Sequence, residues 1–187
     1  TGRAEDPTLA EIEQRNALEP EFEMAHTDWA SPYAGRTVRA LFILKMGTRI
    51  NGLPLRKAVE VMQRFDVEGA AVLTTEEGVY GGETGEKRLA SLLENPYDCY
   101  LVTGESIGGI PAKAWATIQQ KVENGAGLFY YGKPDGGLPA GVKPLSDPPS
   151  RLSGITADAL TLGKGRVVVY AHGRGFEVYR PTQEQAI

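Results

Sequence analysis

Short apolar runs recur along the chain from residue 38 onwards, and a loop and a helical pattern follow each of them. Four such runs predict strands near 38–46, 67–74, 98–103 and 127–131. Their continuous apolar character indicates strands that are covered on both faces. The connections between them are too long for hairpins. We therefore predict right-handed crossovers and a mostly parallel sheet with helices on both faces.

The segments between these strands have the apolar period of a helix. Three buried stripes are predicted: Leu55, Ala58, Val59 and Met62; Leu89, Leu92 and Leu93; and Trp115, Ile118 and Val122. We expect Trp115 to be buried between its helix and the sheet. Asn124-Gly125 is a typical end for that helix, because glycine readily adopts the left-handed conformation that follows a helix C-terminus.

The first 36 residues follow a different pattern. Asp6-Pro7 is typical of a helix start, and Leu9, Ile12 and Leu18 indicate a helix to about residue 18. The periodicity is lost over 19–36. We predict that residues 1–36 form a helix and an extended arm packing on an α/β domain of residues 37–187, or against a neighbouring domain or subunit.

The regular alternation also ends after the fourth strand. Residues 133–162 are rich in glycine and proline, and a connection of this length is usually functional. We expect it to lie over the carboxyl edge of the sheet and to form one wall of a cleft. Residues 165–171 form a β-branched strand, and Gly173-Arg174-Gly175 predicts a turn into a last strand over 176–180. The two would make an antiparallel hairpin at the sheet edge.

Composition excludes several function classes. The net charge of −4 leaves no basic footprint, so neither nucleic acid nor an anionic membrane is an expected partner. No apolar run approaches the roughly 20 residues of a membrane span. The single cysteine, Cys99, cannot form an internal disulfide, which leaves the compartment undetermined. We interpret Thr1-Gly2-Arg3 as a processed end or as the start of a segment cut from a longer protein.

The order of elements from Val38 to about Tyr179 is similar to a known superfold. The resemblance rests on residues 96–102, on Ile110-Pro111, on 122–132 and on 163–170. In these segments the chain resembles the class I glutamine amidotransferase-like superfold, in the branch of trehalose-utilisation-type proteins and of the middle domain of some β-galactosidases. The resemblance implies a flavodoxin-like three-layer α/β sandwich with a mostly parallel sheet and a C-terminal edge hairpin. It also implies a carbohydrate-related context.

The residues that carry catalysis in that family are missing here. The resemblance places the nucleophile elbow at Tyr130-Tyr131-Gly132-Lys133, where no cysteine, serine or threonine stands. Ala171-His172-Gly173-Arg174 follows the late strand in place of a His-x-Glu pair. Cys99 lies within a predicted strand, where a thiol is normally buried and inert. The resemblance therefore implies the fold without the glutaminase chemistry.

A second motif indicates a different chemistry. Residues 104–108, Gly-Glu-Ser-Ile-Gly, match G-x-S-x-G and resemble the nucleophile elbow of carboxylesterases. Asp158 or Asp147, followed by His172, would complete a triad around Ser106 in the correct chain order. However, residues 108–111 separate the motif from its helix, and no His-Gly-Gly oxyanion loop precedes it. We interpret it as a βα turn in which Ser106 or Glu105 bonds backbone amides, with a serine hydrolase as the alternative.

Ligands of open α/β sheets bind beyond the carboxyl ends of the strands. Arg49, Glu105 and Lys133 follow predicted strands there, so we expect them to hold a polar small molecule or a sugar. No nucleotide fingerprint is present and no cofactor is predicted. With two histidines, His26 and His172, no metal site is predicted. The sequence favours a non-catalytic binding or assembly module whose partners are neighbouring domains of a longer chain or further copies in a homo-oligomer.

Overall fold

A computed structural model describes residues 7–16, 38–46, 67–146 and 157–170 of the chain. In these residues the chain forms three α-helices, eight strands and one 3-10 turn. In chain order they are α1 (Leu9–Asn16), β1 (Val38–Lys45), β2 (Val67–Thr75), β3 (Gly78–Val79), α2 (Gly82–Leu92), β4 (Cys99–Thr103), the 3-10 turn (Gly104–Gly109), α3 (Ala112–Glu123), β5 (Gly127–Tyr131), β6 (Lys143–Pro144), β7 (Ala157–Leu162) and β8 (Gly165–Tyr170).

The described strands form a single mixed sheet in the order β3-β2-β1-β4-β5-β8-β7-β6. The neighbours from β2 to β8 pair in parallel. The pairs β2–β3, β7–β8 and β6–β7 are antiparallel. The predicted mostly parallel α/β fold is therefore confirmed. Its four predicted strands also occur, as β1, β2, β4 and β5, with bounds that match the apolar runs.

Both faces of the central strands are buried, as their apolar character predicts. On one face, side chains of β1, β4 and β5 form a cluster with α2 and α3. Its fully buried members include Leu41, Ile43, Val102, Leu89, Ile118 and Val122. The opposite face carries Phe42, Leu44 and Leu101 in a second buried cluster. The central strands are therefore held by packing on both faces of the sheet, which fixes the position of their carboxyl ends.

Trp115 lies on the predicted stripe of α3 but is only partly buried, in contrast to Ile118 and Val122. Its ring centroid is 6.3 Å from that of Tyr130, at an interplanar angle of 59°. Trp115 stands in the first turn of α3, above the carboxyl end of β5. The register of α3 is thus as predicted, while Trp115 is less deeply buried than predicted.

The chain reverses its direction across the sheet at β1. β2 lies on one side of β1, and the chain then returns past β1 through α2 to form β4 on the other side. The carboxyl ends of β1 and β4 are therefore neighbours from which the chain departs in opposite directions. Such switch points are where ligands bind in open α/β sheets.

The antiparallel hairpin consists of β7 and β8, which differ from the pair of strands that was predicted. β8 joins β7 through Gly163-Lys164, and β5 occupies the other side of β8. Gly163 has a φ of +59°, and a Cβ there would lie 2.5 Å from the Glu123 carbonyl oxygen, so the turn requires glycine. Residues 157–162, predicted as loop, are thus a strand, and β6 lies beyond it at the edge. The predicted strand over 176–180 lies outside the described residues.

The N-terminal helix starts with a capping box. The Thr8 N–H donates to Glu11 Oε2 at 2.7 Å, and the Glu11 N–H donates to Thr8 Oγ1 at 3.4 Å. Thr8 therefore caps α1, whose described part spans Leu9–Asn16, while Asp6 lies outside the described residues. The arm over 19–36 and the helix with Leu55 lie outside the described residues.

Candidate functional site

The buried polar side chains of the described residues gather at the carboxyl edge of the sheet. Thr74 lies near the end of β2, Thr103 ends β4, and Ser106 lies in the 3-10 turn that follows. Lys45 ends β1 between them. We call these four residues the carboxyl-edge cluster, and because it surrounds the switch point between β1 and β4, it is the candidate site.

The hydroxyl groups of this cluster bind strand ends to each other. The Lys45 N–H donates to Thr103 Oγ1 at 3.0 Å, and Thr103 Oγ1 also shares a short hydrogen bond with Ser106 Oγ. The Thr74 hydroxyl donates to the Leu44 carbonyl at 3.4 Å. β1 is thus connected through side chains to both of its neighbours, which fixes the geometry of the edge.

Ser106, the nucleophile of the serine hydrolase alternative, has no solvent-exposed surface. Its hydroxyl is directed at Thr103, and α3 begins only at Ala112, after Ile110-Pro111. Asp158 is exposed on β7, and three strand spacings separate β7 from β4, about 14 Å. His172 and Asp147 lie outside the described residues. These positions favour a βα turn, because a nucleophile elbow holds its hydroxyl exposed and turns directly into a helix.

The chain after β5 folds back onto the 3-10 turn. Gly132 has a φ of +87°, and its N–H donates to the Tyr170 carbonyl at 2.9 Å. The Asp135 N–H then donates to the Gly104 carbonyl at 3.2 Å. A Cβ on Gly104 would lie 2.2 Å from the Lys133 carbonyl oxygen, so glycine permits this close approach. The start of 133–162 therefore lies on the carboxyl edge, as predicted. Its last part joins the sheet as β6 and β7 and does not extend a cleft wall.

Of the three predicted ligand-binding residues, Lys133 has a described side chain, and it is exposed. The contact between Gly104 and Lys133 brings it beside the backbone of Glu105. Arg49 and the side chain of Glu105 lie outside the described residues. The predicted grouping of Arg49, Glu105 and Lys133 therefore stays a prediction.

Lys45 is a cation of the site that sequence reasoning missed. Its Nζ lies 2.6 Å from Glu76 Oε1, and the exposed fractions of the two side chains are 12% and 87%. Since Glu76 is exposed, solvent weakens this ion pair. The signal that could have identified the cluster is positional, because Lys45, Thr74 and Thr103 are polar residues at the carboxyl end of an otherwise apolar strand.

Cys99 lies at the opposite end of β4 from this site. Burial, followed by the charge of Asp98, raises the pKa of its thiol to about 11. The thiol is therefore protonated at neutral pH, and a thiol is a much weaker nucleophile than a thiolate. Cys99 is the first residue of its strand, and its inert role stays a prediction.

Two tyrosine rings border the site on the side of β8. Tyr131 ends β5 and Tyr170 ends β8, and their ring centroids are 5.9 Å apart at an interplanar angle of 27°. Both side chains are partly exposed. The carboxyl edge therefore combines the cations Lys45 and Lys133 with an aromatic border.

The part of the chain that the structure describes contains neither a grouped metal-ligand set nor a membrane-spanning helix. No group of three or more His, Cys, Asp or Glu side chains is placed there to hold a metal ion. None of the helices there combines the length and the apolar character that crossing a membrane requires. Comparisons with protein-family models, curated proteins and solved structures found no match.

Proposed function

We propose that this chain is a non-catalytic, amidotransferase-like binding or assembly module of a larger protein. The observation that carries the proposal is the position of Ser106, whose buried hydroxyl is hydrogen-bonded to Thr103. The Thr103 oxygen in turn accepts the Lys45 N–H. These hydroxyl groups support the architecture of the strand ends, and a serine in this position is not accessible to a substrate.

A flavodoxin-like three-layer sandwich is the finer form of this fold that we propose. Numbered among themselves along the chain, the parallel strands β1, β2, β4, β5 and β8 follow the order 2-1-3-4-5 across the sheet. This is the strand order of flavodoxin-like doubly wound sheets, whose ligand site lies where the first and third parallel strands separate. In this chain that position lies beyond the carboxyl ends of the paired strands β1 and β4.

The segment after β5 supports the absence of glutaminase chemistry. A nucleophile elbow is a strand, a sharp turn and a helix. Here β5 continues through Gly132 and Lys133 into turns that lead to β6, with no helix between them. The thiol of Cys99, with its pKa raised to about 11, is no substitute nucleophile.

For the ligand we propose a polar small molecule or a sugar bound above the carboxyl-edge cluster. Lys133 is exposed beside the Glu105 backbone, and Arg49 follows Lys45 by four positions. Charged side chains form strong hydrogen bonds with hydroxyl groups and anions. The rings of Tyr131 and Tyr170 add an aromatic border, and the resemblance implies a carbohydrate-related setting.

The absence of catalysis is tested with a fluorophosphonate probe and with glutamine. We expect no labelling of the wild-type protein above that of Ser106→Ala, and no release of ammonia. Stoichiometric labelling of Ser106 would overturn the proposal in favour of a serine hydrolase. Ammonia release that Cys99→Ala abolishes would show that the elbow has been misplaced.

Binding is tested by thermal shift with neutral and acidic mono- and disaccharides. We expect at least one to raise the melting temperature, and Lys133→Ala to abolish this shift. Lys164→Ala is the matched control, because Lys164 is an exposed lysine at the opposite, amino edge of the sheet. Equal loss of the shift in both variants, or no shift with any sugar, would contradict the proposed site.

A further inference from the structure

The outer edge of β2 is only partly covered by its neighbouring strand. β3 pairs with Thr74 and Thr75 at the carboxyl end of β2. Along residues 67–72, β2 pairs with β1 on one side, and no described strand pairs with the other. An edge of this kind is a template for the addition of another strand.

Hydrogen bonds identify which backbone groups of β2 point outward. The Met46 N–H donates to the Thr74 carbonyl at 2.8 Å, so Thr74 faces β1. The Tyr80 N–H donates to the Leu73 carbonyl at 2.9 Å, so Leu73 faces outward. Because residues of a strand alternate, Ala71, Gly69 and Val67 direct their N–H and C=O groups to the outer edge as well.

Arg88 of α2 occupies this edge in place of a strand. Its Nη1 donates to the Ala71 carbonyl at 2.8 Å. Its Nε and Nη2 donate to Glu13 Oε1 and Oε2 of α1 at 2.6 Å and 3.0 Å. The Arg88 side chain is 10% exposed, so α1 and Arg88 together cover an outward carbonyl of β2.

In the part of the chain that the structure describes, Ile12 and Glu13 hold α1 against the rest of the fold. Ile12 is buried against Gly81, where a Cβ would lie 2.2 Å from Ile12 Cδ1. Glu13 supplies the ion pair to Arg88, and the exposed fraction of its side chain is 54%. An eight-residue helix is marginal on its own, so its position depends on tertiary contacts such as these two.

We propose that the outer edge of β2 is a self-association surface that α1 keeps closed. When α1 and Arg88 withdraw, two copies of the chain join their β2 strands antiparallel about a two-fold axis at Gly69. The Ala71 carbonyl, which now accepts from Arg88, would then accept the Val67 N–H of the second copy. Arg88 and a second copy therefore compete for the same oxygen atom.

The sequence of β2 suits a second copy as the occupant. Pairing centred on Gly69 sets Val67 opposite Ala71 and Glu68 opposite Ala70, so no two charged residues stand directly opposite each other. The strand has small residues at its centre and no proline. Gly69 is required by the fold, because a Cβ there would lie 2.9 Å from Phe42 Cε2. A two-fold interface is self-complementary and needs no further partner.

The experiment compares Glu13→Ala with Glu83→Ala by sedimentation velocity over a concentration series. Glu83 is exposed and pairs with Lys87, so its removal changes the charge equally without touching Arg88. We expect Glu13→Ala to lower the dimer dissociation constant about tenfold, because α1 then loses both charge-assisted hydrogen bonds from Arg88. Glu83→Ala should behave as wild type. Ile12→Ala, which releases α1 by a second route, should also favour the dimer.

Hydrogen exchange identifies the surface that is used. In the dimer, the outward amides of Gly69 and Ala71 should gain protection, while the inward amides of Ala70 and Val72 are protected in both states. Glu13→Ala and Ile12→Ala proteins that both stay monomeric would overturn the proposal. A dimer in which Gly69 and Ala71 exchange as fast as in the monomer would overturn it too.

Discussion

The side-chain hydroxyl groups of Thr103 and Ser106 are hydrogen-bonded to each other where β4 passes into the 3-10 turn. Both residues are buried, and the Thr103 oxygen also accepts the Lys45 N–H at 3.0 Å. One short chain of hydrogen bonds thus connects the turn after β4 to the end of β1. The residue that looks most like a nucleophile in the sequence is therefore buried in a network that connects two strand ends.

Removing the hydroxyl group of Ser106 or that of Thr103 should destabilise the protein, and the two losses should differ in size. We expect Ser106→Ala to lower the free energy of unfolding by about 1 kcal/mol, and Thr103→Val by about 2 kcal/mol, because the Lys45 N–H then loses its acceptor. Urea denaturation measures both changes. Ser91→Ala, an exposed position on α2, is the control and should stay within about 0.5 kcal/mol of wild type. Thr103→Val equal to that control would show that the network contributes nothing.

For two buried tyrosines, we expect removal of the hydroxyl group to stabilise the protein. The hydroxyl groups of Tyr100 and Tyr130 are buried, and among the described residues neither has a hydrogen-bond partner. An unpartnered buried hydroxyl has lost its hydration without compensation. We therefore expect Tyr130→Phe to raise the free energy of unfolding by about 1 kcal/mol, as measured in urea. A decrease of that size would show instead that the hydroxyl is satisfied, for example by a bound water.

The same tyrosines predict alkaline instability. Burial raises the pKa of Tyr100 to about 12, and it raises the pKa of Tyr130 in the same direction. In the unfolded chain the value is about 10, so the folded protein holds these protons more tightly. Their contribution to stability is complete below pH about 10 and is lost as the pH rises towards 12. We expect the melting temperature to fall over this range.

The melting temperature of a double variant, Tyr100→Phe with Tyr130→Phe, should fall less steeply than that of the wild type over the same pH range. Cys99→Ala serves as the comparison, because the pKa of Cys99 is also raised, to about 11, and its loss removes a thiol without removing a phenol. Phenolate absorbance followed along the pH titration reports the ionisation directly. Ionisation of all tyrosines near pH 10 in the folded protein would contradict the expected burial effect.

The parallel half of the sheet could be predicted because each of its strands is marked by a pattern in its own stretch of sequence. β1 and β4 are short apolar runs between glycine, proline and polar residues, and such runs are buried on both faces in a parallel sheet. The stripe of Ile118 and Val122 on α3 likewise follows from spacing alone. The partial burial of Trp115 does not, because it depends on where the first turn of α3 lies relative to the end of the sheet.

The hairpin partner of β8 could not be predicted in this way. Residues 157–162 read Ala-Asp-Ala-Leu-Thr-Leu and are mostly half-buried, so their apolar signal is weak. Gly173-Arg174-Gly175 is a stronger local turn signal than Gly163-Lys164. Pairing with β5 on one side and β7 on the other is a property of the whole sheet. The choice of partner therefore depends on long-range contacts.

The carboxyl-edge cluster was missed for a similar reason. Ile43 of β1 lies opposite Val102 of β4, and this register brings the Lys45 N–H within reach of Thr103. No local pattern contains the register between strands that are more than fifty residues apart. Only the position of polar residues at strand ends was available in the sequence, and that signal is common to most α/β sheets.

Two glycines in the 3-10 turn allow a matched test of the edge. A Cβ on Gly104 would lie 2.2 Å from the Lys133 carbonyl oxygen, while a Cβ on Gly108 would have no atom within 4 Å. Gly104→Ala must displace the backbone after β5, so we expect it to lower the free energy of unfolding by about 3 kcal/mol. Gly108→Ala should change it by less than about 1 kcal/mol, in either direction.

The pair of variants also tests the link between architecture and binding. Because Gly104→Ala moves Lys133, it should abolish the sugar-induced rise in melting temperature. Circular dichroism should show that the variant is folded at the start of the melting curve. Gly108→Ala should keep the shift. If both variants were equally stable, the close approach of Lys133 to the turn would be absent in solution. If Gly104→Ala were destabilised but still bound the sugar, Lys133 would lie outside the binding site, because its displacement would then have no effect on the ligand.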